Sequence, residues 1–437
     1  MRDHARQIYR AALQAVDPYS AVKNAVKRSG SILTVGGQDL DLAAYQRILV
    51  IGAGKASAPM ALAMEELLGP VAGVVLVKDG HLAPVNYIKL REASHPLPDK
   101  RSVEGARAIM ELVQSAGADT LIFNLLSGGG SALMVAPAKG ISLADKQRMT
   151  ELLLAAGADI NQINMVRKHL SLLKGGRLAQ LAAPARLVSL IISDVVGDRL
   201  DSIASGPTEV DASTWRDVGD IFTEFNLLWA QAPAAICRLL QAGLAGEAPD
   251  TSKDIPDTSS NLIVASNRQA LMAAKEKALA LGYNSLLLSS GIAGDTSEAA
   301  GFHAAIAREV RQNRQPVAAP ACIISGGETT VALPQHHGLG GRNQEFVLTA
   351  LRHIRDLPGV LVLSLGTDGN DGPTDAAGGQ VDSASWQKAR ELGLDYYDYL
   401  ARHDAYNFLK ATGDLIITGP TNTNVMDLHL LIIAEGF

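Results

Sequence analysis

Two cationic residues follow glycines at points where the sequence predicts the start of a helix. Lys55 comes directly after Gly52–Gly54, and Arg342 comes directly after Gly338–Gly341. The free N–H groups of a helix N-terminus and a Lys or Arg side chain both attract phosphate and carboxylate groups. The sequence therefore predicts anion-binding positions at Lys55 and Arg342, the alternative being that such a cation is merely solvated.

Two Ser-Gly-Gly stretches follow predicted strands. Ser127–Ser131 comes after the strand predicted at Thr120–Leu126, and Ser325–Thr330 comes after the strand predicted at Cys322–Ile324. Glycine lets the backbone approach a ligand closely, and successive N–H groups can form an anion-binding nest. We expect phosphate oxygens to bind at both stretches, and a tight turn that needs positive φ is the alternative for the first.

A basic cluster lies between positions 164 and 177. On a helix, Arg167 and Lys174 would share one face because they lie seven residues apart. They are candidates for binding phosphate, and a solvated basic face is the alternative. His169 in this cluster, and His95 further upstream, are interpreted as structural residues.

Two acidic clusters could bind a cation or accept a proton. Asp194 and Asp198 follow the strand predicted at Arg186–Ser193, where they could hold a metal, accept a substrate proton or cap a helix. Asp368 and Asp371 lie in a Gly- and Asp-rich stretch after another apolar strand. Their oxygen ligands suit Mg²⁺ better than zinc, the alternative being an ordinary turn.

The first glycine turn does not match either common nucleotide-binding fingerprint. Gly52–Ser57 has Ser57 where the third glycine of a dinucleotide fingerprint should stand, and Asp79 is only a weak match to its ribose-binding acid. The spacing is also not that of the usual phosphate-binding loop. Cations, glycine turns and Mg²⁺-type acids together indicate phosphoryl transfer, which depends mainly on positioning and charge neutralisation.

The elements that must position these residues alternate along the chain as strands and helices. Arg47–Ile51, a helix at Lys55–Leu68 and Gly73–Val77 form a βαβ unit, and continuous aliphatic strands indicate a sheet covered on both faces. The predicted fold is α/β with two domains: a Rossmann-like, mostly parallel N-terminal domain (1–240), a polar linker (241–260) and a C-terminal α/β domain (261–437).

Composition excludes several classes of protein. The 437 residues are 47% hydrophobic and 4% aromatic and carry a net charge of −6, so a nucleic-acid-binding protein is not indicated. Two cysteines, Cys237 and Cys322, lie far apart and fit a reducing cytosol. The apolar stretches are too short to span a bilayer, and we expect a soluble cytoplasmic protein.

Taken together, the motifs resemble those of the type-2 glycerate kinases, whose C-terminal half is called the MOFRL domain. The similarity runs through most of the chain and includes the stretches 50–57, 94–99, 126–132, 166–171, 174–179, 193–194, 203–208, 325–330, 340–345 and 366–375. The resemblance implies phosphorylation of D-glycerate by ATP, usually at the 2-hydroxyl, with Mg²⁺, in a cleft between the two domains. It also implies that Lys55 and Arg342 are essential.

These arguments give a set of predicted site residues. The catalytic candidates are Lys55, Arg342 and Asp194, and the Mg²⁺ candidates are Asp368 and Asp371. The residues assigned to substrate or phosphate binding are Gly54, Ser57, Ser127, Gly128, Gly129, Gly130, Ser131, Arg167, Lys174, Ser325, Gly326, Gly327, Glu328, Thr329 and Asn343. The expected partners are D-glycerate, a nucleotide and a second copy of the chain in a homodimer.

Two other functions stay open on the sequence. Members of this family are often labelled hydroxypyruvate reductase, which would make the protein an NAD(P)H-dependent enzyme with Gly52 and Gly54 as its only fingerprint support. A non-catalytic anion-binding protein with a decayed site is the second alternative.

Overall fold

The computed structural model describes residues 1–435, apart from the side chains of Leu227 and Leu228. Its contacts divide the chain into two compact units. The N-terminal unit contains Pro18–Ser193 and Asp198–Val264, whereas the C-terminal unit contains Met1–Asp17, Asp194–Gly197 and the chain from Ala265 onward. The contacts thus place the predicted linker, 241–260, inside the N-terminal unit and the first helix of the chain inside the C-terminal unit.

Up to the last strand of the N-terminal unit, the elements are α1 (Arg2–Ala15), α2 (Pro18–Ala25), β1 (Val26–Ser29), β2 (Ile32–Val35), β3 (Gln38–Asp41), β4 (Arg47–Ala53), α3 (Ser57–Leu68), β5 (Ala72–Lys78), β6 (Ile88–Ala93), α4 (Lys100–Gln114), β7 (Thr120–Leu126), α5 (Gly130–Leu133), α6 (Leu143–Ala156), α7 (Ile160–His169), α8 (Arg177–Ala182), β8 (Arg186–Ile192), α9 (Trp215–Glu224), α10 (Leu227–Gln231), α11 (Ala234–Leu244) and β9 (Ser259–Ala265).

The rest of the chain contains α12 (Asn267–Ala280), β10 (Asn284–Asp295), α13 (Thr296–Asn313), β11 (Ala321–Thr330), α14 (Arg342–Ile354), β12 (Val360–Gly366), β13 (Gly378–Asp382), α15 (Ser383–Glu391), α16 (Tyr396–Ala401), α17 (Ala405–Thr412), β14 (Leu415–Ile416) and β15 (Asp427–Ile433).

The main sheet of the N-terminal unit has the strand order β6-β5-β4-β7-β8-β9. β4 pairs in parallel with β5 and β7, and the pairs β5–β6 and β7–β8 are also parallel. Counted from β4, this is the 3-2-1-4-5-6 order of the doubly wound Rossmann fold. The prediction of a Rossmann-like, mostly parallel sheet is confirmed.

Burial explains why these strands could be read from the sequence. Every residue of β7 is buried, as are the central residues of β4, β5 and β8, so the strands appear as nearly continuous apolar runs. β1–β3, which form a separate antiparallel sheet, and β6 were not predicted, because β2 has only four residues and the other three are largely polar.

The C-terminal unit contains a mixed six-stranded sheet with the order β10-β11-β15-β12-β13-β14. β10 and β11 are parallel, whereas β15 lies antiparallel to both β11 and β12. β11 continues to Thr330, so the prediction that this strand ends before Ser325 is wrong. Paired strands on both sides hold the glycine-containing segment extended, and the α/β class of the unit is confirmed.

Helix ends follow the expected capping chemistry. Asp295 accepts hydrogen bonds from the N–H groups of Ser297 and Glu298 and begins α13, as its spacing predicted. The predicted helix over Asn161–Leu173 is shorter in the structure, because α7 ends at His169. Among residues 1–435, no helix is both long and apolar enough to cross a membrane.

Candidate active site

The strand order of the N-terminal unit marks one edge of its sheet as the place for a ligand. The order reverses between β4 and β7, and in open α/β sheets ligands bind beyond the carboxyl ends of the strands at such a switch point. Lys55 follows β4, and Ser127–Ser131 follows β7. Topology therefore brings together the first two motifs that the sequence singled out.

These two turns are locked to each other by hydrogen bonds. The Ser127 hydroxyl accepts a bond from the N–H of Ala56 at 3.0 Å, and its oxygen lies 3.1 Å from that of Ser57. The N–H of Lys55 donates to the carbonyl of Gly128 at 2.9 Å. A Cβ on Gly54 would lie only 2.0 Å from the Ser127 oxygen, so glycine is required there. The N–H groups of Lys55 and Ala56 thus hold the two turns together and are not available to a ligand.

The Lys55 ammonium remains available. Within the described part of the chain it has neither a hydrogen bond nor an ion pair, and the side chain is half-buried. The backbone N–H groups of Gly128 and Gly129 likewise have no protein acceptor among the described residues. A free cation beside free N–H donors is an arrangement that binds an anion.

His95 also lies at this edge, and its interpretation as a structural residue stays a prediction. A Cβ on Gly129 would lie 2.9 Å from the His95 ring and 3.4 Å from Cγ of Lys55, so the three positions are neighbours. Burial lowers the pKa of His95 to about 4, and the charges of Lys55 and Lys78 add to this effect. The ring is therefore neutral at physiological pH and lies in a positive field.

The two other basic candidates also reach this region, although not along one helix face. Lys174 lies in the turn after α7 and donates to the carbonyl of Ala204 at 3.2 Å, while the hydroxyl oxygens of Ser131 and Ser205 lie 2.7 Å apart. Arg167 lies near the end of α7, and Arg167, Lys174 and Ser131 line one cavity. By contrast, His169 bonds the Met165 carbonyl and Asp250, which supports its structural interpretation.

Arg342 in the C-terminal unit contacts two carboxylates. It begins α14 and forms a bidentate pair with Asp427, with nitrogen–oxygen distances of 2.6 and 3.1 Å, and a third contact with Glu328 at 3.0 Å. Burial opposes the charge of Arg342, but the attraction of Asp427 and Glu328 outweighs it and raises the Arg342 pKa. Burial raises the pKa of Asp427 to about 7, although Arg342 and Asn343 favour its charged form. Two of the five N–H groups of Arg342 remain for a ligand.

The N-terminus of α14 is also occupied from within the protein. The N–H of Asn343 donates to Asp371 at 3.1 Å, and the N–H of Gln344 donates to the other oxygen of the same carboxylate at 2.9 Å. The expectation that this helix N-terminus is open to an external anion is therefore wrong. A built-in carboxylate satisfies it.

The same contacts show that Asp368 and Asp371 do not fit the predicted Mg²⁺ site. Asp371 is 3% exposed, burial raises its pKa, and both of its oxygens accept bonds from α14. Asp368 accepts a bond from the N–H of Asn370, as in an ordinary Asp turn. Among the residues that the structure describes, no group of three or more His, Cys, Asp or Glu side chains could hold a metal ion.

The Ser-Gly-Gly stretch of the C-terminal unit is part of the core rather than a phosphate loop. The Ser325 hydroxyl bonds the ring of the buried His303 at 2.7 Å, and Thr329 accepts from Thr296 at 2.9 Å. A Cβ on Gly326 would lie 2.5 Å from the Asp427 carbonyl, and one on Gly327 would lie 2.0 Å from the Ile292 carbonyl. These glycines allow neighbouring strands and side chains to approach, and the phosphate role assigned to this stretch gains no support.

Comparison with known proteins bears on the whole chain. Residues 4–241 match the model "Domain of unknown function (DUF4147)", and residues 321–427 match the model "MOFRL family". The glycerate 2-kinase of Pyrococcus horikoshii is 40% identical over 436 residues, which cover 100% of this chain and 98% of that protein. The chain belongs to the glycerate kinase family.

A solved structure and a differently named relative complete the comparison. The crystal structure of a glycerate kinase from Thermotoga maritima matches with a TM-score of 0.88 at 37% identity and covers 99% of each chain. A protein of Agrobacterium vitis named putative hydroxypyruvate reductase is 40% identical, over 99% of this chain and 94% of its own. The name hydroxypyruvate reductase would require a dinucleotide site in this chain.

Two residues argue against a dinucleotide at the switch point. Ser57 stands where the fingerprint needs a glycine, and its hydroxyl donates to the Leu125 carbonyl at 3.1 Å. Asp79, which would have to bind ribose, is held by Arg101 in a bidentate pair with distances of 2.6 and 2.9 Å. Both residues are thus engaged in local structure, which agrees with a kinase rather than a dinucleotide-dependent enzyme. The chain is an enzyme of the phosphotransferase class, as are its named kinase relatives.

Sequence reasoning missed two residues and left one unplaced. Asp427 gave only a weak signal, a charge at the start of an aliphatic strand, and Lys146 looked like any solvated helical lysine. Asp194 follows β8, and its segment, Asp194–Gly197, groups with the C-terminal unit. Its catalytic role stays a prediction.

Proposed function

We propose that this protein transfers the γ-phosphoryl group of ATP to the 2-hydroxyl of D-glycerate, which gives 2-phosphoglycerate and ADP. Relatives of full length carry the names glycerate 2-kinase and D-glycerate 2-kinase, which supports this substrate and this hydroxyl. Mg²⁺ enters as part of the MgATP substrate, and no side chain of the protein is assigned to it.

The observation that carries the proposal is the ammonium of Lys55 at the switch point, beside the N–H groups of Gly128 and Gly129, none of which has a partner among residues 1–435. Transfer of a phosphoryl group spreads negative charge over its oxygens, so catalysis requires fixed positive groups and donors around them. Lys55 and this loop supply both on rigid strand ends.

The other predicted roles fit this reaction as proposals. Arg342 would use its two remaining N–H groups for the glycerate carboxylate or the phosphoryl oxygens, while Asp427 and Glu328 hold its guanidinium in place. Asp194 would accept the proton of the attacking hydroxyl. Whether both units contribute to one active site stays a prediction.

The reaction can be tested directly with the purified protein. Incubation with D-glycerate and MgATP, followed by NMR of the product, should show 2-phosphoglycerate and an equal amount of ADP. A parallel incubation with hydroxypyruvate and NADH should leave the NADH absorbance unchanged. Oxidation of NADH without formation of ADP would contradict the proposal and support the reductase.

A further inference from the structure

A cavity of about 270 Å³ lies within the N-terminal unit. Its walls come from α6, from α7 and the turn after it, from Pro96–Pro98 and from Gly129 and Ser131 of the loop after β7. Most of the wall is apolar, with side chains such as Met149 and Leu153. The N-terminal unit alone thus forms the cavity, and the candidate phosphate loop is part of its wall.

Three basic side chains line this cavity, and none of them has an acidic partner within the described part of the chain. The Lys146 ammonium, 9% exposed, donates to the carbonyl of Leu170 at 2.8 Å, and Lys174, 2% exposed, donates only to the carbonyl of Ala204. The guanidinium of Arg167 has no hydrogen bond or ion pair with any described residue. Buried charges in proteins are normally paired, because removal from water is costly. An anion from outside the protein would supply the counter-charge that these side chains lack and would keep the two lysines protonated.

A buried lysine of the same region shows the usual arrangement. Lys168 is 4% exposed, and its ammonium lies 3.2 Å from Asp211 and 3.6 Å from Asp201. The chain therefore neutralises a buried lysine on α7 with two carboxylates, yet no described carboxylate lies next to Lys146 or Lys174. This difference points to a ligand as the counter-charge.

Burial and the neighbouring positive charges lower the pKa values of the two lysines in this cavity. Burial, together with the charges of Arg167 and Arg177, lowers the pKa of Lys146 to about 7. Burial lowers the pKa of Lys174 as well, with a contribution from Lys146. Glu151, at the edge of the cavity, is the acid of the described lining, and it lies 3.5 Å from Arg148.

Charge and polarity select the class of anion. D-glycerate carries one negative charge and would leave two of the three cations unbalanced, whereas a nucleotide carries several charges on its phosphates. Each carbon of glycerate also bears oxygen, so an apolar wall offers it no favourable contact. A purine base, by contrast, packs well against aliphatic side chains.

We propose that this cavity is the nucleotide site, with the base against its apolar wall and the phosphate groups in contact with Lys146, Arg167 and Lys174. The inference rests on the proposed kinase function, and it adds Lys146 as a phosphate-binding residue. The loop Ser127–Ser131 then continues the same phosphate path towards Lys55.

Calorimetric titration of the full-length protein with ADP, and separately with D-glycerate, tests the site. Lys146→Met should weaken ADP binding by at least about tenfold, the effect of losing a hydrogen bond to a charged group. Binding of D-glycerate should not change. The matched control is Arg148→Met, which removes the same charge from an exposed position of the same helix and should bind ADP like the unmodified protein.

The outcomes separate this inference from the proposed function. Unchanged ADP affinity in a folded Lys146→Met variant, or loss of D-glycerate binding instead, would overturn the nucleotide site. If that variant does not fold, Arg167→Gln gives the same comparison, because its guanidinium makes no hydrogen bond with the described residues. If the Lys146→Met variant binds ADP more weakly but the unmodified protein forms no phosphoglycerate, the nucleotide site would be supported and the proposed kinase function contradicted.

The pH dependence of binding provides a readout that a structural role would not change. Above pH 7.5 the phosphates of ADP are fully ionised, but Lys146 must take up a proton to bind them. The Kd for ADP should therefore rise by up to about tenfold per pH unit between pH 7.5 and 9. Lys146→Arg, which stays charged, should show a smaller rise of Kd with pH, since only Lys174 of the two buried lysines is left to titrate, and equal slopes for the two proteins would overturn the assignment of Lys146.

Discussion

At the scale of single residues, the two cations at the heart of the proposal differ in how their charge is held. Lys55 has no partner within the described chain, whereas Arg342 is held by Asp427 and Glu328. The Lys55 ammonium can adjust its position to a ligand, whereas the Arg342 guanidinium is already held in the position where it would bind one. Their substitutions should therefore have different effects on stability.

Lys55→Met should lower kcat by about 100-fold or more, because a charged donor is lost from the position where phosphoryl charge develops. The melting temperature should change little, because the Lys55 ammonium bonds no described residue. Steady-state assays of D-glycerate phosphorylation and thermal unfolding measure the two effects. Lys89→Met, on the exposed face of β6, is the control that should leave both unchanged. Full activity of Lys55→Met would remove Lys55 from the mechanism.

Arg342→Met should destabilise the protein in a pH-dependent manner. At pH 8 the fully buried Asp427 must then either stay charged without its cation or take up a proton from solution, which costs about 3–5 kcal/mol. A carboxyl whose pKa is raised in the folded state binds its proton more readily than in the unfolded chain, so folding becomes less favourable as pH rises from about 4 to above 7. The loss at pH 5 should accordingly be smaller.

Denaturant unfolding at pH 5 and pH 8 measures this difference. The double variant Arg342→Met and Asp427→Asn should recover most of the stability lost at pH 8, because no buried charge is left unpaired. An equal loss at both pH values would contradict the role given to Asp427.

Of the pair Arg342 and Asp427, only Arg342 could be predicted as a site residue from the sequence. Arg342 could be predicted because its signal is local, a cation after glycines at a helix start. Asp427 lies 85 residues away and reaches Arg342 only because β15 pairs with β11 in the folded sheet. Lys146 was missed for a similar reason, since a helical lysine shows in the sequence neither its burial nor its lack of a carboxylate.

At the scale of elements, burial decided what could be predicted. Strands with continuous aliphatic runs, such as β7, were located to the residue, and α6 was located equally well by its apolar spacing. β11 was predicted too short because glycines usually interrupt a strand. In this strand they are required by close approach, since a Cβ on Gly327 would collide with the Ile292 carbonyl.

The contact between Asp371 and the N-terminus of α14 makes a prediction that separates capping from metal binding. Asp371→Ala should lower the free energy of unfolding by about 1–2 kcal/mol, because the N–H groups of Asn343 and Gln344 lose their acceptor. The Mg²⁺ concentration at half-maximal activity should not change. Thermal unfolding and a Mg²⁺ titration of the phosphorylation rate measure the two quantities.

Asp371→Asn is the conservative control, since it keeps one acceptor oxygen and should lose less stability than the alanine variant. A marked increase in the Mg²⁺ requirement of Asp371→Ala, without any loss of stability, would restore the metal role that the sequence suggested.

At the scale of the whole molecule, the first helix of the chain belongs to the unit that is built mainly from residues after Ala265. α1 packs against α12, with Ala5, Ile8 and Ala12 fully buried, and Arg2 forms ion pairs with Asp382 and Asp414. The sequence did predict an amphipathic helix here. It could not show that the helix belongs to the C-terminal unit, because no local signal identifies a partner 380 residues away.

Arg2 therefore tests the assignment of α1 to that unit. Asp414 is 1% exposed and lies 2.7 Å from Arg2, so Arg2→Ala leaves a buried carboxylate with a lost partner and should cost about 1–3 kcal/mol. Hydrogen exchange should quicken in α1 and α12, while the sheet formed by β4–β9 stays protected. Arg6→Ala, an exposed change on the same helix, should alter neither measurement. If Arg2→Ala instead loosened the β4–β9 sheet, α1 would have to be assigned to the N-terminal unit, because strain from a lost contact spreads first through the elements that share its core.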